Sequence, residues 1–131
     1  GTLEGLGENM MSILESAAIL HDIGIHISEE KYGSSNGKYQ EKEGPAEASK
    51  LLFSLGGYSN EQIDRICYLI AHHHTYNDID GLDYQILVES DFLVNIYEDQ
   101  LLPLAIDNVR KKIFRTKSGL DLLDNMYNII T

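Results

Sequence analysis

The chain has 131 residues, of which 43% are hydrophobic and 24% charged, which is typical of a single globular domain over residues 1–131. Its formal net charge of −11 repels a phosphate backbone and so argues against long nucleic acid as a partner. No apolar run is predicted to span a bilayer, and the single cysteine rules out an internal disulfide, so we expect a cytoplasmic protein without a membrane partner.

Apolar residues recur at helical spacing along most of the chain, and this pattern predicts about six α-helices. The first is the apolar run 10–20, which ends before Gly24. The second begins near Pro45, because proline is favoured in the first turn of a helix, and it ends at Gly56. Residues 24–44 show little apolar periodicity and predict a long loop, which either covers a site or is a mobile surface excursion.

The remaining helices have clear start signals. Ser59 and Gln62 have the spacing of a capping box at the start of the third helix, which ends in three consecutive histidines at residues 72–74. The last three predicted helices run from about Asp83 to Glu98, from about Pro103, and through apolar residues from Leu120 to Ile130. The sequence therefore predicts an all-α bundle.

Two aspartates stand in apolar surroundings. Asp22 follows the run Ala17–Leu20, and Asp91 is flanked at helical spacing by Leu87 and Val94. A carboxylate buried without a partner costs several kcal/mol or stays protonated. Since the chain has only three arginines, we expect a divalent metal ion to be the partner.

Histidines accompany these aspartates. His21 directly precedes Asp22, and a mixed set of imidazoles and carboxylates suits Mn, Fe, Ni or Zn. Helical periodicity places His74 on the apolar face of the third helix, as the favoured ligand among the three histidines. His73 lies near the edge of that face and His72 on the opposite side. Taken singly, each residue also has a structural explanation, because a histidine at a helix C-terminus caps carbonyls and an aspartate can anchor a buried hydrogen bond.

The stretch LESAAILHDIG at residues 14–24 resembles the signature of the HD-domain metal-dependent phosphohydrolase superfamily. The resemblance continues in order at residues 43–48, 70–74 and 88–91, and so covers about residues 14–99. It implies an HD-domain-like bundle of about six helices with its metal ions near the centre. The Gly-Tyr-Pro element of the HD-GYP branch is absent, so specificity for cyclic dinucleotides is not implied.

The resemblance also implies one or two divalent ions, of Mn, Fe, Ni, Zn or Mg. The residues matched to metal ligands are His21, Asp22, His72, His73, Asp91 and Glu43. Of these, Glu43 stands where the two-metal branch has a histidine. The family has a further ligand histidine on a preceding helix, and none precedes His21 here, so the chain either begins after that helix or is a degenerate member.

The sequence thus predicts a metal-dependent phosphohydrolase that cleaves a phosphomonoester or phosphodiester, in a nucleotide or related small molecule. Asp22 and Asp91 are the expected catalytic residues, since a bound ion activates water and a carboxylate accepts its proton. Lys38 and His74 are candidate phosphate contacts. The alternative is a non-catalytic, degenerate HD domain that acts as a metal- or nucleotide-binding sensor, and a purely structural partner-binding bundle ranks third.

Overall fold

A computed structural model describes residues 1–34 and 36–127 and shows an all-helical bundle over them, as predicted. The described helices are α1 (Glu8–Leu20), α2 (Ile25–Tyr32), α3 (Gly37–Leu55), α4 (Asn60–His72), α5 (Leu82–Glu98), α6 (Pro103–Lys112) and α7 (Lys117–Tyr127). Ile129 and Ile130, which were expected to continue the last helix, lie outside the described residues.

Local signals in the sequence account for several helix ends. Ser59 accepts a hydrogen bond from the backbone N–H of Gln62, and the Gln62 side chain accepts one from the backbone N–H of Ser59, which completes the predicted capping box of α4. Pro103 occupies the first turn of α6, as predicted. α3 ends at Gly56, whose positive φ of 73° favours glycine.

The predicted loop over residues 24–44 is wrong, because α2 and the start of α3 occupy most of it. The Asn36 side chain accepts a hydrogen bond from the backbone N–H of Lys38 and starts α3 well before Pro45, which lies inside the helix. A Cβ atom on Gly24 would lie 2.8 Å from the backbone nitrogen of Gly44, so the start of α2 packs directly on α3. These helices are half-exposed and polar, which removed the apolar periodicity on which the prediction depended.

Two apolar clusters form the interior. The larger joins α1, α3, α4 and α5, and the smaller joins α5, α6 and α7. Phe92 and Ile113 pack against both clusters, and α5 contributes buried residues to each. α5 is therefore the central helix, and the side chains that it presents on different faces meet different halves of the molecule.

The segment Glu8–Tyr32 is long and apolar enough to cross a membrane, with a mean hydropathy of 1.2, although the sequence predicted no such run. A turn at residues 21–24 divides it into α1 and α2. Ile13, Leu14 and Ala17 of α1 are buried in the larger apolar cluster. Core helices of soluble proteins have the same length and composition, so this segment is weak evidence for a membrane span.

The buried carboxylate of Glu89 joins α5 to the start of α7. It accepts hydrogen bonds from the Thr116 hydroxyl at 2.6 Å, from the Gln85 side chain at 2.6 Å and from the backbone N–H groups of Arg115 and Thr116. A Cβ atom on Gly119 would overlap the carboxylate, so only glycine leaves room for this arrangement. Every donor around Glu89 is thus already matched by a carboxylate oxygen.

Candidate metal centre

His21 and Asp22 follow the last residue of α1 and face α5. The ring Nδ1 of His21 donates to the carbonyl oxygen of Ala18 at 2.6 Å, which fixes the ring and turns Nε2 away from α1. This Nε2 lies 3.3 Å from Asp22 Oδ2 and 3.4 Å from Asp91 Oδ1. The structure therefore brings together three of the residues that the resemblance matched to metal ligands.

Asp91 is the member of this group that α5 supplies, and its side chain is 15% exposed. The hydrogen bond to Asp91 raises the pKa of His21 above its usual value. Burial by itself raises the pKa of Asp91, but the hydrogen bond and the charge of His21 lower it below its usual range. His21 and Asp91 therefore share a proton in a position that a cation can take.

His73, at the end of α4, lies beside His21, Asp22 and Asp91, and these four residues form the cluster. Its ring is fully buried, and its Nδ1 donates to the carbonyl oxygen of Ile70 at 2.6 Å. Its Nε2 has no hydrogen-bond partner and lies 3.9 Å from Asp22 Oδ1, beyond hydrogen-bond distance. Burial lowers the pKa of His73, so its ring is neutral and Nε2 carries a lone pair that no described donor satisfies.

His74 lies beside the cluster, although the sequence assigned it to phosphate contact. One of its ring nitrogens lies within 4.8 Å of ligand atoms of both Asp22 and His73. Its Nε2 lies 3.2 Å from Gln40 Oε1, so that Nε2 donates and leaves Nδ1 as the acceptor. Glu41 accepts hydrogen bonds from the His74 backbone N–H at 3.2 Å and from the Thr75 hydroxyl at 2.8 Å.

Gln40 and Glu41 hydrogen-bond to the His74–Thr75 segment beside the candidate ligands, and the sequence did not predict them as site residues. Both lie in the stretch interpreted as a loop, one helical turn or less before Gly44. Gly44 is buried, and a Cβ atom there would lie 2.9 Å from a side-chain carbon of Ile70, so this turn of α3 is held against α4 near its histidines. The Asn36 cap, which starts α3 early, is the sequence signal that identifies these two residues as helical.

His72 lies next to His73 in sequence but faces elsewhere. Its Nδ1 donates to the carbonyl oxygen of Tyr68 at 2.7 Å, and its ring stacks on the Tyr68 ring at 4.2 Å between centroids. Successive helical residues point about 100° apart, which is why the two rings diverge. His72 therefore lies on the side of α4 opposite the cluster, as helical periodicity predicts. Its position does not support its assignment as a metal ligand.

Two further predicted site residues lie on α3: Glu43, whose side-chain partners are on α2, and Lys38, which follows Gly37, where a Cβ atom would lie 2.8 Å from the His74 ring. Glu43 accepts hydrogen bonds from the Tyr32 hydroxyl at 2.8 Å and from the Lys31 ammonium at 3.3 Å, and the Tyr32 hydrogen bond lowers its pKa. Lys38 is exposed at the start of α3. The side chain of Glu43 points to α2, where the Tyr32 hydroxyl and the Lys31 ammonium are its partners.

The cluster fits a divalent cation. The Nδ1 atoms of His21 and His73 donate to backbone carbonyls, as the ring N–H of a metal-bound histidine commonly does, and the Nε2 atoms are directed at carboxylate oxygens. The donor set of neutral imidazoles and two carboxylates suits Mn, Fe, Ni or Zn. The buried, unpartnered Nε2 of His73 is the observation that a cation explains and that a network of hydrogen bonds among the described residues does not.

A cleft of about 280 Å³ opens beside the cluster, between α1 and α5. His21, Asp22 and Asp91 line its inner end, together with Ala18 and Leu87. The candidate ligands are therefore reached from solvent through a space large enough for a small molecule.

Comparisons with family models, with curated proteins and with solved structures found no match to this chain. The resemblance to the HD-domain superfamily is consequently carried by the sequence motifs alone.

Proposed function

We propose that this chain is a metal-dependent phosphohydrolase that cleaves a phosphomonoester or phosphodiester of a small molecule such as a nucleotide. The observation that carries the proposal is the pair of imidazoles whose Nε2 atoms face carboxylates, that of His21 facing both Asp22 and Asp91 and that of the buried His73 facing Asp22. We place this function in the cytoplasm, as the single free cysteine is consistent with a reducing compartment.

A metal ion accounts for these contacts better than a network of ion pairs. In an ion pair His21 must be protonated, but His73 is neutral and has no donor facing its Nε2. An unsatisfied buried polar atom costs about 1–3 kcal/mol, which coordination of a cation would offset. The same cation would balance the two carboxylates, in a protein whose net charge is already −11.

The chain's own residues have distinct roles in the proposed reaction. A divalent ion held by His21, Asp22, His73 and Asp91 would supply Lewis-acid chemistry, in which water is activated and a phosphoryl oxygen polarised. Asp91 is a carboxylate at neutral pH, because its pKa is held low, and it orients the attacking water and accepts its proton. Asp22, with a side chain 51% exposed, lines the cleft and would hold the ion on the side from which the phosphate approaches.

The test combines metal analysis with a screen of phosphoesters. We expect purified protein to bind close to one equivalent of Mn²⁺ or Ni²⁺ and to hydrolyse at least one phosphoester with an added ion. His21→Ala should lose both properties, whereas His26→Ala should keep them, since His26 is exposed and pairs only with Glu30 among the described residues. Absence of turnover with every ion, together with unchanged metal binding in His21→Ala, would contradict the proposal.

A metal-binding sensor without turnover is the second candidate. It is favoured by the sequence of α1, which has no histidine upstream of His21 to add a ligand to the set. In that case Mn²⁺ or Ni²⁺ should raise the melting temperature in a concentration-dependent manner, while no phosphoester is hydrolysed. Turnover that disappears in His21→Ala would exclude this candidate.

A further inference from the structure

The cleft beside the cluster has a second end that the proposed chemistry does not use. Asp91, Val94 and Glu98 follow one another along one face of α5, and all three line the cleft. Since a helix rises 1.5 Å per residue, Glu98 lies about 10 Å along the helix axis from Asp91. A molecule with its phosphate at the cluster therefore extends past Val94 towards Glu98.

The middle of this path is apolar. Val94 is 53% exposed although it is a large hydrophobic residue, and Ala18 of α1 is exposed opposite α5. Ser90 and Asn95 are the neutral polar residues of the lining. The surface between the two ends therefore suits an apolar portion of a ligand, with hydrogen bonds at its edges.

The outer end is strongly negative. Glu98 is the last residue of α5, so its carboxylate adds to the negative end of the helix dipole, and Asp99 follows directly. Glu98 forms no ion pair with any residue of the described chain, and no lysine or arginine is among the residues that line the cleft. Two arginines that could otherwise bind an anionic group are paired with carboxylates, Arg65 with Asp83 and Arg110 with Asp124.

We propose that Glu98 determines substrate specificity, so that the cleft selects phosphomonoesters whose organic part is apolar and ends in a neutral or cationic group. Esters that carry a second anionic group, such as a further phosphate or a carboxylate, are disfavoured because no cationic side chain lines the cleft to receive it. This inference rests on the proposed function for the position of the phosphate, and it adds the substrate class.

Three matched aryl phosphates test this charge preference. The phosphate esters of tyramine, of para-propylphenol and of para-hydroxyphenylpropionate have similar size and end in an amine, a methyl group and a carboxylate. Binding of the corresponding non-hydrolysable phosphonates to Mn²⁺-loaded protein is measured by calorimetry, and turnover of the esters is measured separately. We expect affinity to fall from the amine to the carboxylate by about tenfold, since exposed charge pairs contribute modestly at each step.

Two variants assign the preference to Glu98. Glu98→Lys should reverse the order of the three phosphonates. Glu29→Lys makes the same change in net charge on an exposed site of α2, outside the lining of the cleft, and should leave the order unchanged. This control separates a local effect of Glu98 from the effect of the overall negative field.

The outcomes distinguish this inference from the proposed function. Equal affinities in the original chain, an order that Glu98→Lys leaves unchanged, or no binding of any phosphonate would overturn the inference. Binding in the expected order without hydrolysis of any ester would overturn the proposed hydrolase function and support the substrate-class inference. Hydrolysis of all three esters at equal efficiency with equal affinities would support the proposed hydrolase function and overturn the substrate-class inference.

Discussion

Glu89 and Asp91 are two carboxylates two residues apart on α5, and they meet opposite halves of the molecule. Glu89 is almost fully buried and accepts hydrogen bonds from Thr116, Gln85 and Arg115, all of them neutral donors already in place. Asp91 lies 3.4 Å from His21 Nε2, and both residues line a solvent-accessible cleft together with Asp22, which lies near a His73 Nε2 that has no partner among the described residues.

Glu89 is thus a carboxylate that stabilises the fold, whereas Asp91 is a carboxylate that remains available to a ligand. Around Glu89 the donors match the oxygens, and the arrangement needs no ligand. Around Asp91 the neighbouring groups, Asp22 and the Nε2 atoms of His21 and His73, are mostly acceptors once His21 is neutral. Acceptors that face one another are stable only with a shared proton or a cation between them, and for this reason we propose a metal ion beside Asp91.

The largest effect is expected for Asp91→Asn, which removes one carboxylate from the cluster and keeps its shape. Metal affinity should fall by at least about 100-fold, because even the outer partners of metal ligands are worth 10–100-fold. The free energy of unfolding without metal should change by less than about 1 kcal/mol, as expected for a partly exposed pair. Calorimetric titration and urea denaturation give the two values, with Asp99→Asn as the control on the exposed end of α5.

Removal of the ion should reveal the same distinction in the original chain. A chelator should lower its melting temperature and leave that of Asp91→Asn unchanged. Equal metal affinity in Asp91→Asn and the original chain would show that Asp91 is not a ligand.

The matching change at the other carboxylate, Glu89→Gln, should give the opposite result. The amide nitrogen would replace either Oε2, where it would face the backbone N–H groups of Arg115 and Thr116, or Oε1, where the Thr116 hydroxyl would lose its acceptor. Either orientation leaves a buried donor unsatisfied, so the free energy of unfolding should fall by about 1–3 kcal/mol. Metal affinity of the folded protein should be unchanged. Glu61→Gln on the exposed surface of α4 is the control, and a stability loss equal to that of Glu61→Gln would contradict a structural role for Glu89.

A smaller effect is expected for Gln40, which acts on the cluster through His74. Gln40→Leu removes the acceptor of His74 Nε2, so the His74 ring beside Asp22 and His73 is no longer held, and metal binding should weaken by at most about tenfold. Gln40→Glu keeps an acceptor oxygen and should restore most of the affinity. If both variants bind metal equally well, Gln40 contributes packing alone; the electronic spectrum of a Co²⁺ derivative offers a second measurement of ligand geometry.

The smallest effect concerns a third carboxylate on α5, Asp83, which is held by a cation. Burial raises the pKa of Asp83, but the Arg65 hydrogen bonds at 2.7 and 2.9 Å, the backbone N–H of Tyr84 and the Arg65 charge lower it overall. A lowered carboxyl pKa contributes stability above the unfolded value of about 3.9, and this contribution is lost as the pH falls through the folded value.

Arg65→Gln should therefore reduce the free energy of unfolding by about 1 kcal/mol at neutral pH, with the difference shrinking below about pH 4. Urea denaturation across this pH range measures the difference, and Lys50→Gln on the exposed surface of α3 should have no such pH dependence. A difference that grows on acidification would contradict the assigned sign.

Local signals in the sequence determined much of this protein. The capping box at Ser59, the proline at Pro103 and the apolar runs predicted the all-α class and most helix positions, because caps and periodicity act over a few residues. Sequence reasoning also placed His21, Asp22 and Asp91 in one cluster, since carboxylates in apolar surroundings need a partner wherever they are.

Only the tertiary structure decided which neighbouring side chains join that cluster. His73 is buried against Asp22 while His72 stacks on Tyr68, and this choice depends on how α4 is rotated against α1. Gln40 reaches His74 because α3 begins early and packs on α4, which polar residues with weak periodicity did not reveal. A helix end depends on residues next to it in sequence, whereas the partners of a side chain depend on contacts distant in sequence. The sequence therefore predicted most helix positions but not which side chains meet in the cluster.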